Sequence, residues 1–411
     1  MKTIEKYSIG TGDRFGRQGV AQINAIRKAC ERGVAAAPVW NKSNREHTII
    51  GTEPSDQRAA ADKAIRESGW GGPYYVDADH ITATTVDRFA PFCDFFTIDV
   101  ADFINRPADP DAVERFLHRH RSLPSSPGLP VRIRMTEMRE AARRYLFAVS
   151  EAGRTYRRIC ELRKEDDFVT EVSLDETETA QGPAELAVIL SALADEGVPV
   201  QTIAPKFTGR FNKGVDYAGD VAAFLREFEA DVGLVAWASS ALGLPRSLKL
   251  SIHSGSDKFS LYDGVRRIIR KAGVGIHVKT AGTTWLEEII GLAEAGEDGL
   301  AIAKEVYRSA FESIDEIVKP YAAVVEIDRS RLPAPADVDL WDGQALSASL
   351  RHVETDPRFN PDMRQLFHVA FRVAAKMGPR YLEALGKHEA SISRNVTANL
   401  WERHLAPLFV G

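Results

Sequence analysis

Ionisable side chains crowd five short stretches of this sequence at a spacing that chemistry could use. Val76–Ile81 reads VDADHI, Glu171–Thr177 reads EVSLDET, and Lys249–Phe259 reads KLSIHSGSDKF. Ala204–Asp220 (APKFTGRFNKGVDYAGD) and Gly275–Trp285 (GIHVKTAGTTW) complete the set. Polar and apolar residues alternate in three of them. Glu171, Ser173 and Asp175 oppose Val172 and Leu174; Lys249, Ser251 and His253 oppose Leu250 and Ile252; His277 and Lys279 oppose Ile276 and Val278. Side chains alternate across a strand, so each run presents one ionisable face. Buried charges are costly unless paired or bound to a metal, which makes these faces hard to explain by stability.

Two histidines plus a carboxylate, with coordination positions left open, form a common catalytic metal arrangement. His80 and His253 supply the histidines, and the carboxylate is Asp216 or Glu171. A lone histidine at a strand end is more often a hydrogen-bonded structural residue; two at the same end of one fold favour a metal. Asp216 follows Lys213-Gly214 and equally suits capping of the next helix. Glu171 has a structural alternative too, a buried ion pair with Lys206 or Lys249. Asp79, beside His80, suits acid–base work.

The elements that must position these groups follow a βα rhythm. Strands are predicted at Lys6–Thr11, Val34–Trp40, Tyr74–Asp79, Phe95–Val100, Phe168–Leu174, Gln201–Lys206, Leu248–His253 and Val274–Lys279. Helices are predicted at Gln18–Arg32, Ser55–Glu67, Pro183–Asp195 and Thr284–Ala295, the last stopped by Gly296. Eight such repeats indicate a (β/α)8 barrel, whose chemistry sits at the C-terminal ends of the strands. The barrel is expected to span residues 1–300. A helical insertion at about 101–167 holds a basic helix around Arg139–Lys164. Residues 301–411 are expected to form a helical extension packed on the barrel, with Met363, Leu366, Phe367, Ala370 and Phe371 on one face.

Two loops carry weaker signals. GTGDRFG (Gly10–Gly16) lacks the G-x-G-x-x-G spacing of a dinucleotide loop and reads as a strand-end loop, with Asp13 and Arg14 near the mouth. TAGTTW (Thr280–Trp285) opens a helix whose first amides suit an anion such as a sugar carboxylate; ordinary capping by Thr283 is an equal explanation.

Composition removes other classes. The 411 residues are 44% apolar and 27% charged with a net charge of −5, and there is no basic excess to neutralise phosphates. No polybasic or long apolar segment suits a membrane, and no signal peptide opens the chain. Three isolated cysteines, Cys30, Cys93 and Cys160, fit a reducing cytoplasm rather than a disulfide framework.

At the strand-end motifs VDADHI, EVSLDET, APKF…GVDYAGD, LSIHSGSDKF and HVKTAGT the sequence resembles the tagaturonate epimerase family of hexuronate catabolism. The resemblance implies a divalent-metal isomerase (Zn, Mn, Ni or Fe) that interconverts D-tagaturonate and D-fructuronate. It also implies Asp79 and Glu171 as the acid–base pair and His80, Asp216 and His253 as metal ligands. Lys206, His277, Lys279 and Asp99 are expected to contact the sugar-acid substrate. The epimeric carbon is β to the ketone, so its hydrogen is not acidic, and retro-aldol cleavage and re-formation is the expected route. A metal-dependent sugar isomerase, a class II-type aldolase and a non-catalytic sugar-acid binding protein are the alternatives. Homo-oligomerisation is left open.

Overall fold

The computed structural model describes residues 2–163, 167–280 and 282–411. Lys164, at the end of the expected basic helix, and Ala281 of the TAGTTW stretch lie outside the described residues. Eight parallel strands close into a barrel in chain order: β1 Tyr7–Thr11, β2 Ala36–Ser43, β3 Tyr75–Ile81, β4 Phe95–Asp99, β5 Val169–Ser173, β6 Thr202–Ala204, β7 Lys249–Ile252 and β8 Ile276–Lys279. The chain is therefore a (β/α)8 barrel, and every strand starts within two residues of its expected position. Closure runs from Tyr7 against Ile276 to Gly10 against Lys279. A Cβ on Gly10 would stand 2.8 Å from Lys279 Cγ, so only glycine lets that lysine stem cross β1 into the barrel.

The alternation sorts the strand residues as expected. Val76, Ala78, Phe96, Ile98, Val172, Ile203, Leu250 and Val278 face outward into the core beneath the helices. Inward, the floor is apolar, formed by Ile4, Ala37, Val39, Tyr75, Phe95 and Val169. Above it Asp77, Thr97, Glu171 and Lys279 meet on the axis. Glu171 thus pairs with Lys279, neither Lys206 nor Lys249. Lys249 lies too low in the barrel and instead donates to the backbone carbonyls of Glu5 and Lys6.

Helices Gly19–Glu31, Pro54–Ser68 and Pro183–Asp195 occupy the expected crossovers. Between β4 and β5 stand Pro110–Arg119 and the 28-residue helix Met135–Leu162, which packs on Pro183–Asp195. The C-terminal third departs from a simple appended layer. Thr283–Ala295, which follows β8, packs with Glu297–Glu312, Gly343–Leu350 and Glu389–Ala398 around a second core. The place in the ring between Gly19–Glu31 and Phe259–Ala272 is filled by Asn399–Val410, a helix of wide π turns. Its Leu400, Leu405, Leu408 and Phe409 belong to the barrel's own core. Met363, Leu366, Phe367, Ala370 and Phe371 are all fully buried in the second core. No helix among the described residues is long and apolar enough to cross a membrane.

Candidate active site

The mouth begins with a defect in β3. Its pairing with β4 runs Asp77 to Phe95 and Ala78 to Phe96, then slips so that Ile81 meets Ile98. One extra residue has entered the strand, and His80 takes a φ of 52°, a left-handed conformation that costs a non-glycine residue on the order of 1–3 kcal/mol. Without the bulge, His80 would follow Ala78 outward. With it, both Asp79 and His80 border the cavity at the mouth while Ile81 returns to the outer core.

His80 and His253 then come within 5.2 Å of each other, ring centre to ring centre. Each is held by carboxylates. His80 Nδ1 lies 3.2 Å from Asp99 Oδ2. His253 Nδ1 lies 2.9 Å from Asp175 Oδ1, and its Nε2 lies 2.8 Å from Glu171 Oε1. His80, Asp175 and His253 offer ligand atoms that all lie within 4.8 Å of one another, and His80, Asp99 and Glu176 form a second such group around the same histidine. The first fits a divalent metal better. It has two imidazoles and one carboxylate, with Asp99 and Glu171 left to orient a ring each, as carboxylates behind metal-bound histidines do.

The charges reinforce this. Burial would lower His253, but Asp175 and then Glu171 hold it up at about 9, against the opposing charge of Lys279. Burial would raise Asp175, yet His253 pulls it well below the ordinary carboxylate range. An imidazolium wedged between two carboxylates is a place where a dication can displace a proton.

One level deeper, Lys279 Nζ sits 2.9 Å from Asp77, 2.7 Å from Asp79 and 2.9 Å from Glu171. Burial would raise Asp79, but Lys279 and His80 hold it down at about 2. Burial dominates at Asp77 and lifts it to about 7 despite Lys279.

These groups open into a cleft of about 1200 Å³. Asp79, His80, Asp175, His253, Lys206 and Lys279 border it from the barrel; Pro320–Glu326 and His368 cover it from the C-terminal helices.

Not every expected residue arrives there. Asp216 is directed elsewhere: its carboxylate accepts from the Ser260 amide at 3.0 Å and the Ser260 hydroxyl at 2.9 Å, fastening the first turn of Phe259–Ala272. The carboxylate beside the histidines is Asp175. Asp99 stands behind His80 rather than on the cleft. Glu171 is fully buried beneath His253 and does not border the cleft. His277, also fully buried, bonds Ser8 Oγ at 2.8 Å near the barrel floor; burial pushes it down to about 3. Thr283 makes no capping bond, and its hydroxyl has no partner among the described residues. Alternation already places Asp175 on the ionisable face without naming it a ligand, and Asp77, two residues before Asp79, could have been flagged in the same way. His368 gave no signal, because it reaches the mouth from a helix outside the βα repeat.

A family model for tagaturonate epimerase matches residues 1–405. The tagaturonate/fructuronate epimerase of Thermotoga maritima is 27% identical over 419 residues, spanning 97% of this chain and 80% of that protein. Two crystal structures of the fructuronate-tagaturonate epimerase of Cohnella laeviribosi, each 24% identical, share the fold. The two-glycerol complex has a TM-score of 0.81 over 100% of this chain and 83% of that one. The native form has a TM-score of 0.76 over 99% and 82%.

Proposed function

The chain belongs to the tagaturonate epimerase family, and from that premise we propose that it is an isomerase that interconverts D-tagaturonate and D-fructuronate in the cleft at its barrel mouth. A divalent metal held by His80, Asp175 and His253 is part of this reading. The observation that carries it is the pair of neighbouring histidines, each tied to an orienting carboxylate and gathered beside Asp175.

A bound divalent cation would supply Lewis acidity to the ketone oxygen of the substrate. Asp99 and Glu171 fix the two imidazoles, and Lys279 keeps Asp79 ionised at the edge of the cleft. Asp79 is assigned the hydroxyl proton on the carbon β to the ketone. Loss of that proton breaks the bond between the α and β carbons, leaving an enediolate on one half and an aldehyde on the other. The aldehyde turns its other face, the bond re-forms, and the proton returns to the new alkoxide. No oxidant is consumed. The expected pair of Asp79 and Glu171 becomes one proton-transfer group and one positioning group, since Glu171 reaches the cleft only through His253 and Lys279.

The experiment strips the protein of metal, restores Mn, Zn, Ni or Fe singly, and follows D-tagaturonate by NMR. Metal-dependent appearance of D-fructuronate supports the reading. Accumulation of two three-carbon products would make the protein an aldolase, and binding without conversion would make it a sugar-acid receptor.

A further inference from the structure

Cations crowd the cleft, but most are already neutralised. Arg45 faces Glu176 at 3.6 Å, Arg144 faces Glu185 at 2.6 Å, Arg210 is paired with Glu326, and Lys279 has its three carboxylates. Among the described residues that border the cleft, Lys206 and Lys213 have no carboxylate within ion-pair distance. Among the described residues the Lys213 ammonium has one hydrogen-bond partner, Ser254 Oγ at 3.5 Å, and it feels Glu176, Glu46 and Asp175 from beyond ion-pair distance.

Beside Lys213 stands His368, from helix Pro361–Val369. It is 3% exposed, borders the cleft, and its Nδ1 has no hydrogen-bond partner among the described residues. A Cβ built on Gly214 would lie 3.6 Å from that nitrogen. A Cβ on Gly282 would fall 1.7 Å from the ring's Cε1, so the first turn of Thr283–Ala295 accepts the imidazole only because residue 282 has no side chain. The pair is also held in place. The Lys213 amide donates to Val324 O at 2.8 Å, and Arg364 Nε donates to Gly214 O at 2.7 Å. A buried polar atom without a partner costs about 1–3 kcal/mol, and the positive charges of Arg14 and Lys213 both act on this ring. Both deficits are met by one ligand group, an anion with two oxygens.

Resting on the epimerase reading of the cleft, we propose that Lys213 and His368 form the subsite for the substrate's carboxylate end. Lys213 is the counter-ion and His368, as the Nδ1–H tautomer, the hydrogen-bond donor. Selection of sugar acids over neutral sugars is then made jointly by a barrel loop and the C-terminal helices.

The test uses ligands that cannot be turned over. D-Galactonate and its neutral counterpart galactitol are titrated calorimetrically into the metal-loaded protein and into Lys213→Met, His368→Phe and Lys206→Met, each first checked by thermal unfolding. A hydrogen bond to a charged group is worth enough that the preference for acid over alditol should fall roughly ten- to hundred-fold in Lys213→Met. It should fall by a smaller factor in His368→Phe. An unchanged preference in Lys213→Met, a loss confined to Lys206→Met, or no preference in the unaltered protein would each overturn the proposal. If Lys213→Met does not fold, Lys213→Gln carries the same comparison. Absence of tagaturonate turnover would sink the epimerase reading without affecting this binding ratio, so the two failures are separable.

Discussion

Glu171 grips His253 from below through a single oxygen. Its Oε1 lies 2.8 Å from His253 Nε2, 3.1 Å from Thr97 Oγ1 and 2.9 Å from Lys279 Nζ, while Oε2 has no partner among the described residues. One atom thereby joins β5 to β4, β7 and β8, and it fixes the ring orientation that leaves His253 Nδ1 facing Asp175. Orienting carboxylates of this kind typically contribute about 10–100-fold to metal affinity. Glu171→Gln should therefore weaken Mn²⁺ binding by that order in a calorimetric titration, with the fold intact by circular dichroism. Unaltered affinity would remove Glu171 from the metal's support.

Substitution of the proposed ligands separates them from Asp216. His80→Ala, His253→Ala and Asp175→Ala should each emerge from dialysis without metal, read by inductively coupled plasma mass spectrometry. Asp216→Ala should retain it and lose only helix-terminal hydrogen bonds, about 0.5–2 kcal/mol of stability. Metal loss in Asp216→Ala, with Asp175→Ala fully loaded, would reverse the assignment.

Asp79 is an ionised carboxylate that borders the cleft beside His80, and Lys279 and His80 hold it down at about 2. Positioned proton transfer is worth roughly 10²–10⁴-fold in rate, so Asp79→Asn should lose kcat on that scale while metal content stays constant. A near-normal rate would restrict Asp79 to holding Lys279.

Carbon–carbon cleavage leaves the hydrogen on the epimeric carbon in place. Turnover in heavy water should put no deuterium there, and mass spectrometry of the active protein should find no bound nicotinamide. Deuterium at that carbon would exclude the retro-aldol route, and a nicotinamide would move the case to transient oxidation.

Stability should fall as pH rises through a group that does not border the cleft. Glu288 is 1% exposed, with Tyr381 Oη 3.2 Å from its carboxyl. Burial, reinforced by the charge of Asp13, raises it from 4.5 to about 8. Unfolded, it loses its proton near 4.5; folded, it keeps that proton to about 8. Within this window the folded state binds more protons, so its stability declines as pH rises. Glu288→Gln lacks this titration. Thermal unfolding should show the variant gaining on the unaltered protein between pH 5 and pH 9, and a constant difference would contradict the shift.

The eight strands were readable because a strand's period of two writes itself directly into the sequence, and the βα rhythm supplied closure. The same alternation placed Glu171, His253 and Lys279 inside the barrel. It could not show which inward carboxylate meets which histidine, because that depends on register between strands. From sequence the metal's carboxylate is therefore Asp216 or Glu171, and Asp175 is not among the choices. The bulge at His80 breaks the alternation and is invisible to it; a regular strand would have sent either Asp79 or His80 outward. His277 looked like a mouth residue because it shares a face with Lys279, yet two residues of strand are enough to lower it to the floor. Lys213 and His368 lie 155 positions apart in the sequence and meet only because the C-terminal helices fold over the mouth.

The wide-turned helix Asn399–Val410 has a consequence for how the protein is made. Until those residues leave the ribosome, the flanks of Gly19–Glu31 and Phe259–Ala272 that receive it stay uncovered, and Tyr7 lacks the Phe409 ring that comes to lie 4.9 Å away. The first strand and the last turn are thus completed together. A nascent chain carries an open seam until residues 399–410 have been made, and a chain without them has an apolar flank of its barrel uncovered.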